Sequence, residues 1–409
     1  MKNRKFRSLR EIGTIKMCKR VLKNQTNEIS GIPFYKISTL GKKADSFISE
    51  KLYTEYKNKY SFPKKGDILI TASGTIGKYS RYSGKDAYFQ DSNIVWLEHN
   101  ETIVINDYLY YALNFADFNA SNGSTIKRLY NSDIYNTKII LCPISEQKKI
   151  SKLLNIIESK IKLNNKINDN LIKQIQSIYD NWFLKFNFPN NNNKSYKNNG
   201  GEFIFNEIIG GKIPVNWKVE SIFENELTEI ISPGIDKFEN KKMYYATKQI
   251  QNMDIQSGEY ISYINRKSRA NMQPISNSVW FAKMKNSIKH LFITNNMGFM
   301  LNNGILSTGF CGLKCNNNSF EYLASVILQP NFEFQKDSLS HGATQQSINN
   351  EDLKYIKLLV PDRKTLQKYH ELTGPIFCKI SENMCENRRL IDLKNTLLPL
   401  LMNNQVSID

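Results

Sequence analysis

Cationic and amide side chains gather around glycine-rich turns in both halves of the chain. Arg and Lys bind guanine edges or phosphates, and Gln can form two hydrogen bonds with adenine in the major groove of DNA. For any one of these residues, a solvated charged surface or a capped turn is the alternative interpretation. The predicted DNA-binding residues are Ser73, Gly74, Thr75, Lys78, Arg81, Ser124, Thr125, Lys127 and Arg128 in the first half, and Arg266, Arg269, Lys283, Lys285, Thr344, Gln345 and Gln346 in the second half.

Sequence motifs for catalysis or metal binding do not occur in the chain. HExxH, GxSxG and GxGxxG are absent, and the four histidines are scattered. Residues 72–79 (ASGTIGKY) are superficially similar to a phosphate-binding loop, but Ala72 replaces its first glycine and Tyr79 its magnesium-binding Ser or Thr. A tight hairpin turn is the favoured interpretation of this segment. We therefore expect no catalytic residue, no metal site and no cofactor bound by this chain.

Length and composition favour a protein of two or three domains with a large core. The chain has 409 residues, and 40% of them are hydrophobic, too many for a disordered protein. No apolar run approaches the ~18 residues that cross a bilayer, and the charged start leads into no signal-peptide core. The six cysteines are too few for a disulfide framework and lack the spacing of a zinc site. We expect reduced thiols and a cytoplasmic protein that binds no membrane.

The net charge of +18 favours a polyanionic partner, nucleic acid first. Residues 1–203 hold 33 basic and 18 acidic side chains, whereas residues 204–409 hold 23 and 20. The first half should therefore contribute most of the salt-dependent affinity for phosphates. A basic composition that only keeps the protein soluble is the alternative.

An internal repeat emerges when the sequence is compared with itself at an offset of about 219 residues. Residues 126–143 read IKRLYNSDIYNTKIILCP, and residues 345–361 read QQSINNEDLKYIKLLVP. Asp133 aligns with Asp352, and each copy ends in a proline that precedes a long segment of helical periodicity. The repeat predicts two copies of one domain, each followed by a long helix, in a pseudo-twofold arrangement.

Both long segments have the heptad pattern of paired helices. Two asparagines interrupt each pattern at equivalent positions, and a buried amide needs a partner across the helix interface. The two helices are therefore predicted to pair with each other, with ordinary bundle cores as the alternative. The predicted interface residues are Ile150, Leu154, Ile157, Ile161, Asn164, Asn168, Leu171 and Ile178 in the first helix, and Ile376, Ile380, Asn383, Asn387, Leu390 and Leu397 in the second.

Strand and turn signals ahead of each helix predict domains of mixed α/β structure. A hairpin at 68–82, a strand at 93–98 and a helix at about 106–117 are matched in order by strands at 278–283 and near Phe292, a glycine-punctuated run at 304–313 and a helix at about 319–328. The predicted boundaries are 1–145 for the first domain, 146–186 for the first long helix, 187–203 for an Asn-rich linker, 204–363 for the second domain and 364–403 for the second long helix. At 1.5 Å per residue the first long helix would measure roughly 60 Å.

The chain resembles the specificity subunits of type I restriction-modification systems over nearly its whole length. The segments that carry the resemblance are GIPFYKIS (31–38), KKGDILITASGTIGKYSRY (64–82), LCPISEQKKISKLLNIIESKI (141–161), KIPVNW (212–217) and GATQQSINNEDLKYIKLLVP (342–361). The most specific feature is the Pro-x-x-Glu-Gln start of a long helix, from Pro143 to Gln147. The second copy departs from it, because Asp, Arg, Lys and Thr follow Pro361.

The resemblance implies two target-recognition domains of α/β fold, each of which reads one half of a split target in double-stranded DNA. It implies two long antiparallel coiled-coil helices that set the gap between the half-sites. The implied protein partners are two DNA methyltransferase (modification) subunits and an ATP-dependent restriction subunit. S-adenosylmethionine, ATP and Mg²⁺ would belong to those partners, and this chain would perform no catalysis.

Other functions stay open from the sequence. A specificity subunit could serve a methyltransferase without a nuclease, because that difference lies in the neighbouring subunits. From a different class, a basic coiled-coil scaffold could bind RNA or acidic proteins, and a cryptic nuclease is the enzyme alternative. The DNA target and the spacer length are not readable from the sequence, because rules for base contacts do not identify which side chains reach the bases.

Overall fold

The computed structural model describes residues 5–73, 77–118, 128–316 and 318–408. The chain forms two compact units. Unit 1 comprises Met1–Ser159 and Ile391–Asp409, and unit 2 comprises Lys160–Leu390. None of the helices in the described ranges is long and apolar enough to cross a membrane.

Unit 1 is a mixed α/β domain. Its strands are β1 Lys5–Ser8, β2 Thr14–Met17, β3 Thr26–Asn27, β4 Ile32–Tyr35, β5 Phe47–Ile48, β6 Ile68–Thr71, β7 Tyr79–Arg81, β8 Tyr88–Phe89, β9 Ile94–Glu98 and β10 Lys138–Leu141. Its α-helices are α1 Glu50–Lys59, α2 Asn106–Ala112 and α3 Asn131–Asn136, and α4 Ile144–Tyr179 begins in this unit.

Unit 2 has the same mixture of elements. Its strands are β11 Phe203–Asn206, β12 Gly211–Pro214, β13 Lys218–Ser221, β14 Thr228–Ile231, β15 Lys242–Tyr245, β16 Ile250–Gln251, β17 Asp254–Ile255, β18 Glu259–Ile261, β19 Ala270–Met272, β20 Ser278–Ala282, β21 His290–Ile293, β22 Gly304–Ser307, β23 Phe310–Cys315 and β24 Lys357–Val360. Its α-helices are α5 Gly298–Asn303, α6 Phe320–Ile327 and α7 Pro330–Ser338, and α8 Arg363–Met402 begins here. A π-helical turn, Asp180–Leu184, follows α4, and Asn350–Tyr355 is a 3₁₀ helix.

The main sheets of the two units share one strand order. The main sheet of unit 1 has the antiparallel order β2-β9-β6-β7, and that of unit 2 has the antiparallel order β14-β23-β20-β21. A second sheet in each unit contains one parallel pair, β4 with β8 in unit 1 and β15 with β22 in unit 2. The predicted pair of α/β domains is therefore confirmed.

The repeat keeps a fixed offset of 219 residues where the sequence identity is highest. The α3 helix begins at Asn131 and the 3₁₀ helix of unit 2 begins at Asn350, while β10 begins at Lys138 and β24 at Lys357. In each unit this strand pairs antiparallel with the strand that opens the domain, β1 or β13. A long helix then follows in both copies.

Continuous apolar runs form the central strands of both main sheets. All side chains of β6 (ILIT) and of β20 (SVWFA) are buried. A strand that is apolar on both faces must be covered on both faces, so these strands have no side exposed to solvent. The largest side chains at the centre are Trp96 in β9 and Trp280 in β20, which are 1% and 0% exposed.

The Asn-rich segment 187–203 is packed onto unit 2, whereas the sequence predicts a linker there. Phe188 stacks on Trp217 and on Tyr196, with ring centroids 4.9 and 4.6 Å apart. Lys368 Nζ of α8 donates a hydrogen bond of 2.8 Å to the backbone carbonyl of Asn190. Aromatic stacking therefore packs this segment against unit 2, although its polar composition is typical of a linker.

Candidate nucleic-acid interface

In unit 1 the chain leaves β6 beside the loop that precedes α3. Ser73 forms an isolated antiparallel bridge with Arg128, and Leu129 N donates a 2.7 Å hydrogen bond to Ala72 O. Ser73 Oγ donates a 2.6 Å hydrogen bond to Asn93 Oδ1. Two residues of the predicted interface, Ser73 and Arg128, are therefore neighbours although 55 positions separate them in the sequence.

Five other predicted DNA-binding residues of the first half lie outside the described residues. They are Gly74, Thr75, Ser124, Thr125 and Lys127. Their segments adjoin Ser73 and Arg128 in the sequence.

Lys78 connects the end of the hairpin turn to another basic loop. Its Nζ donates a 3.0 Å hydrogen bond to Leu40 O, and the side chain is half-buried. Leu40 is followed by Gly41, which has a φ of +75°, and by the exposed Lys42 and Lys43. The structure thus adds Lys42 and Lys43 to the candidate interface. The Gly-Lys-Lys sequence was the available signal for them.

Arg128 is exposed and has an aromatic neighbour. Its guanidinium lies 5.9 Å from the centre of the Tyr130 ring, and Tyr130 is 55% exposed. An exposed cation next to an exposed ring suits contact with a phosphate or a base. The sequence predicts a DNA contact for Arg128 and gives no signal for Tyr130.

Arg81 is committed to contacts inside unit 1, which changes its predicted role. Its Nη1 donates a 2.8 Å hydrogen bond to Asn155 Oδ1 of α4 and lies 3.5 Å from Asp107 Oδ1 of α2. Its guanidinium also lies 4.2 Å from the centre of the Tyr110 ring. These contacts join β7 to two helices, and they leave the side chain only 25% exposed. We therefore assign Arg81 to the structural support of the hairpin.

The corresponding turn of unit 2 also meets a loop that precedes the repeated segment. Met284 forms an isolated antiparallel bridge with Ser347. Lys285 N donates a 3.0 Å hydrogen bond to Gln346 O, and Ile348 N donates one of the same length to Lys283 O. The turn 283–289 and the loop 341–347, called here the basic turn and the amide loop, therefore form one surface.

Three side chains of the amide loop are exposed at this surface. Thr344, Gln345 and Gln346 are all exposed, and Gln345 Nε2 lies 3.5 Å from Met284 Sδ. Gly342 has a φ of +129°, and a Cβ at that position would lie 2.9 Å from Gln345 O. A glycine is required there for the loop to fold back on itself.

Of the two arginines predicted in unit 2, only Arg269 is linked to the basic turn. Thr308 N donates a 2.8 Å hydrogen bond to Arg269 O, and Lys283 N donates a 2.9 Å hydrogen bond to Gly309 O. Arg266 instead stacks on Tyr263, with its guanidinium 3.9 Å from the ring centre, and donates to Tyr263 O. Arg269 and Lys283 are thus brought together through residues 308–309, and Arg266 is held by its own loop.

A further lysine, Lys289, is the last residue of the basic turn and anchors it to a neighbouring segment of unit 2. Its Nζ donates a 2.7 Å hydrogen bond to Thr247 O. Burial lowers the pKa of the Lys289 ammonium below its ordinary value. The bond places Thr247, and with it the exposed Lys248, beside the basic turn. Nothing local in the sequence signals this contact.

The Ser73–Arg128 bridge of unit 1 and the Met284–Ser347 bridge of unit 2 occupy equivalent places in the repeat. Arg128 and Ser347 are 219 residues apart, and each bridges the residues that follow the buried central strand of its main sheet. The same local geometry therefore arises twice from loops of different sequence. A backbone arrangement that occurs in both units but carries different side chains suits two domains that recognise different DNA sequences.

The two long helices pair through amides within unit 2. Asn164 Nδ2 donates a 2.9 Å hydrogen bond to Asn387 Oδ1, and Asn383 Nδ2 donates a 2.8 Å hydrogen bond to Asn168 Oδ1. The residue number falls in α8 as it rises in α4, so the helices run antiparallel here. Each of these buried asparagines thus has an amide partner on the facing helix.

The apolar positions of the helix pair are divided between the units. In unit 1, Ile150 and Leu154 share a core with Leu401 of α8, and Leu397 packs against it. In unit 2 the half-buried positions are Ile161, Leu171, Ile178, Ile376 and Leu390, and Ile380 is buried. Ile157 is 4% exposed. An ion pair of 3.2 Å between Lys394 and Glu158 crosses the helices in unit 1.

Within the described ranges, no three His, Cys, Asp or Glu side chains are placed to hold a metal ion. The arrangement offers cations, amides and backbone groups at two loop surfaces. It is suited to recognising an extended anion such as DNA.

Two α/β domains with main sheets of one strand order, each with a basic loop surface and each followed by a long helix, define a two-domain α/β protein with a repeated loop surface. Residues 1–173 match the model of the family described as the type I restriction modification DNA specificity domain. The resemblance of this chain to the specificity subunits of type I restriction-modification systems is thereby confirmed.

Curated relatives carry names that agree with this family. A Haemophilus influenzae protein assigned as a type I restriction enzyme specificity subunit is 49% identical over 175 residues, which are 42% of this chain and 45% of that protein. The chain thus spans less than half of that relative's length. The MjaIX specificity subunit of Methanocaldococcus jannaschii is 24% identical over 367 residues, covering 85% of this chain and 79% of its own.

A crystal structure of the type I restriction-modification S subunit from M. genitalium has the same fold. It superposes with a TM-score of 0.50 at 16% identity and covers 98% of this chain and 96% of its own. The likeness extends the shared fold beyond residue 173, into the second α/β domain.

Proposed function

We propose that the chain is a sequence-specific DNA-binding subunit that reads a split target. Each unit would read one half-site with the loop surface that follows its central strand. The observation that carries this proposal is the repeated bridge, Ser73 with Arg128 and Met284 with Ser347, which presents basic and amide side chains at equivalent places in both units.

The proposed partners follow from the family. The curated relatives are named as type I restriction enzyme specificity subunits, and this chain would likewise direct DNA methyltransferase subunits, two per chain, and an ATP-dependent restriction subunit to its target. S-adenosylmethionine, ATP and Mg²⁺ would bind to those partners. The chain itself would be a non-catalytic cytoplasmic subunit.

Methylome sequencing of cells that express the chain with its methyltransferase partner tests the proposal. We expect one bipartite motif with adenine methylation in both half-sites. Replacement of residues 204–362 by the matching segment of a relative should change one half of the motif and leave the other half and the unmethylated gap in place. A pool of DNA methylated without any motif would refute the proposal and support a basic scaffold instead.

The non-catalytic role has its own test. The purified full chain is incubated with DNA and Mg²⁺ or Mn²⁺ in the absence of its partners. Intact DNA is the expected result, and strand cleavage that co-purifies with the chain would contradict it.

A further inference from the structure

A buried ionic cluster adjoins the basic turn of unit 2. Its members are Glu333 and Lys336 in α7 and His290 in β21. Lys336 Nζ lies 2.6 Å from Glu333 Oε2, and His290 Nε2 lies 2.8 Å from Glu333 Oε1. The Lys336 side chain is 0% exposed. A buried lysine is costly unless acceptors surround it, and here Glu333 supplies the nearest one.

The cluster is bonded to the backbone of the basic turn. Lys336 Nζ donates a 3.2 Å hydrogen bond to Ser287 O, and Asp337 Oδ1 accepts a 3.1 Å hydrogen bond from Asn286 N. Asn286 has a φ of +54°, in the left-handed region that few residues other than Gly and Asn adopt. The shape of the turn therefore depends on these two side-chain contacts.

The basic turn in turn holds the amide loop. The backbone bonds of Lys283 and Lys285 join it to residues 346 and 348. A displacement of Asn286 and Ser287 would move both lysines and the loop that presents Gln345. Positioning of this kind matters, because a shift of about 1 Å at a reading surface breaks the geometry of a two-bond base contact.

Stability alone does not explain a charged cluster at this place. An apolar side chain of similar volume at position 336 would fill the space without the cost of burying an ammonium group. What it would not provide is a donor for Ser287 O. The cluster is better explained by the backbone that it orients.

We propose that Lys336, Glu333 and Asp337 are positioning residues that set the base preference of the half-site read by unit 2. The inference rests on the proposed function. It goes further by naming residues that act on specificity without touching DNA.

The test uses the full chain with its methyltransferase partner and a library of DNA with randomised half-sites. The half-site of unit 2 is first identified by the segment replacement at 204–362. Lys336→Met should then reduce the preference for the correct base in that half-site by about tenfold at one or more positions. The preference in the half-site of unit 1 should stay within twofold of the original and serves as an internal reference.

A second His–Glu pair of unit 2, in which the carboxylate is buried and the His370 ring is 41% exposed, provides a control. Glu321 Oε2 lies 2.9 Å from His370 Nδ1, and the Glu321 side chain is 8% exposed, close to the 10% of Glu333. Glu321→Gln should lower stability without changing either half-site. A purely structural role for the Lys336 cluster would make the two variants behave alike.

Each result decides between the two proposals. If the wild-type chain shows no base preference, the proposed function itself is refuted. A folded Lys336→Met chain that keeps the wild-type preference in both half-sites would overturn the positioning role alone. If Lys336→Met does not fold, Asp337→Ala replaces it, because that side chain is 24% exposed and its loss removes the bond to Asn286 N and the 3.6 Å ion pair with Lys336 but leaves the buried Lys336–Glu333 pair in place. Unchanged preference in Asp337→Ala would equally overturn the inference.

Discussion

Asn383 donates a 2.8 Å hydrogen bond to Asn168 across the two long helices of unit 2, and both side chains are buried, 3% and 6% exposed. A buried amide is satisfied only by a partner at the matching level of the facing helix. The pair therefore specifies one register of the antiparallel helices. Asn164 and Asn387 repeat the arrangement one turn away.

Replacing one member of this pair should destabilise unit 2 more than replacing both. Asn383→Leu leaves the Asn168 amide buried without its partner, and we expect a loss of about 1–3 kcal/mol. The double variant Asn168→Leu/Asn383→Leu removes both polar groups and should lie close to wild type. Chemical unfolding followed by tryptophan fluorescence measures this, because Trp182, Trp217 and Trp280 all belong to unit 2. Additive losses in the double variant would show that the amides do not depend on each other.

The substitution Arg81→Lys should separate structural support from DNA contact. Lysine keeps the charge but cannot bond Asn155 and lie on the Tyr110 ring at once, so unit 1 should lose about 1–3 kcal/mol. The salt dependence of DNA binding should not change, since the positive charge remains. Hydrogen exchange of peptides from β7 and α2 reports the loss of stability. Arg128→Gln is the comparison, because that exposed cation should affect salt dependence and leave exchange as it was.

The parts of the fold that local patterns encode were predictable. The hairpin around 68–82 follows from local signals, because Gly66 precedes it, a glycine marks its turn and the apolar run of β6 is buried throughout, while the half-buried YSR of β7 follows the turn. The heptad interruptions at Asn164, Asn168, Asn383 and Asn387 likewise predict that the two long helices pair with each other. In each case the signal lies within a few residues of the feature, or is repeated 219 residues later.

Features that depend on distant partners were not predictable. The 43 positions between His290 and Glu333 leave no periodic trace in the sequence. Arg81 looks like a surface cation until α2 and α4 place Asp107 and Asn155 around it. The Asn-rich segment reads as a linker, because the aromatic rings that fix Phe188 come from another part of unit 2.

The uneven charge of the chain predicts unequal contributions of its halves to phosphate affinity. Lys42, Lys43 and Arg128 are exposed in unit 1, and three substitutions to Gln there can be matched by Arg269→Gln, Lys283→Gln and Lys285→Gln in unit 2. Each lost phosphate contact lowers the slope of log affinity against log salt by about 0.9. We expect the larger loss of slope from the unit 1 variant, since residues 1–203 hold 33 basic side chains against 23 in the remainder. Fluorescence anisotropy at several salt concentrations measures both slopes, and equal losses would show that overall charge does not determine the contacts.

The ionic cluster of unit 2 should make the stability of that unit depend on pH in the acid range. Burial tends to raise the pKa of Glu333, but hydrogen bonds from His290 and Lys336 outweigh it and hold the pKa below its ordinary value of 4.5. A carboxyl group with a lowered pKa stabilises the folded state fully above the unfolded pKa, and the contribution is lost as pH falls through the lower, folded pKa.

Glu333→Gln should therefore be less stable than wild type at pH 7, and the difference should shrink as the pH is lowered below 4.5. Urea unfolding midpoints at pH 7, 5, 4 and 3.5 or so, read from tryptophan fluorescence, measure the difference. Glu239→Gln, at an exposed position of the same unit, subtracts the general effect of removing one carboxylate. A difference that stays constant down to the lowest pH would mean that the Glu333 charge contributes nothing to the folded state, and that its contacts with Lys336 and His290 act as neutral hydrogen bonds.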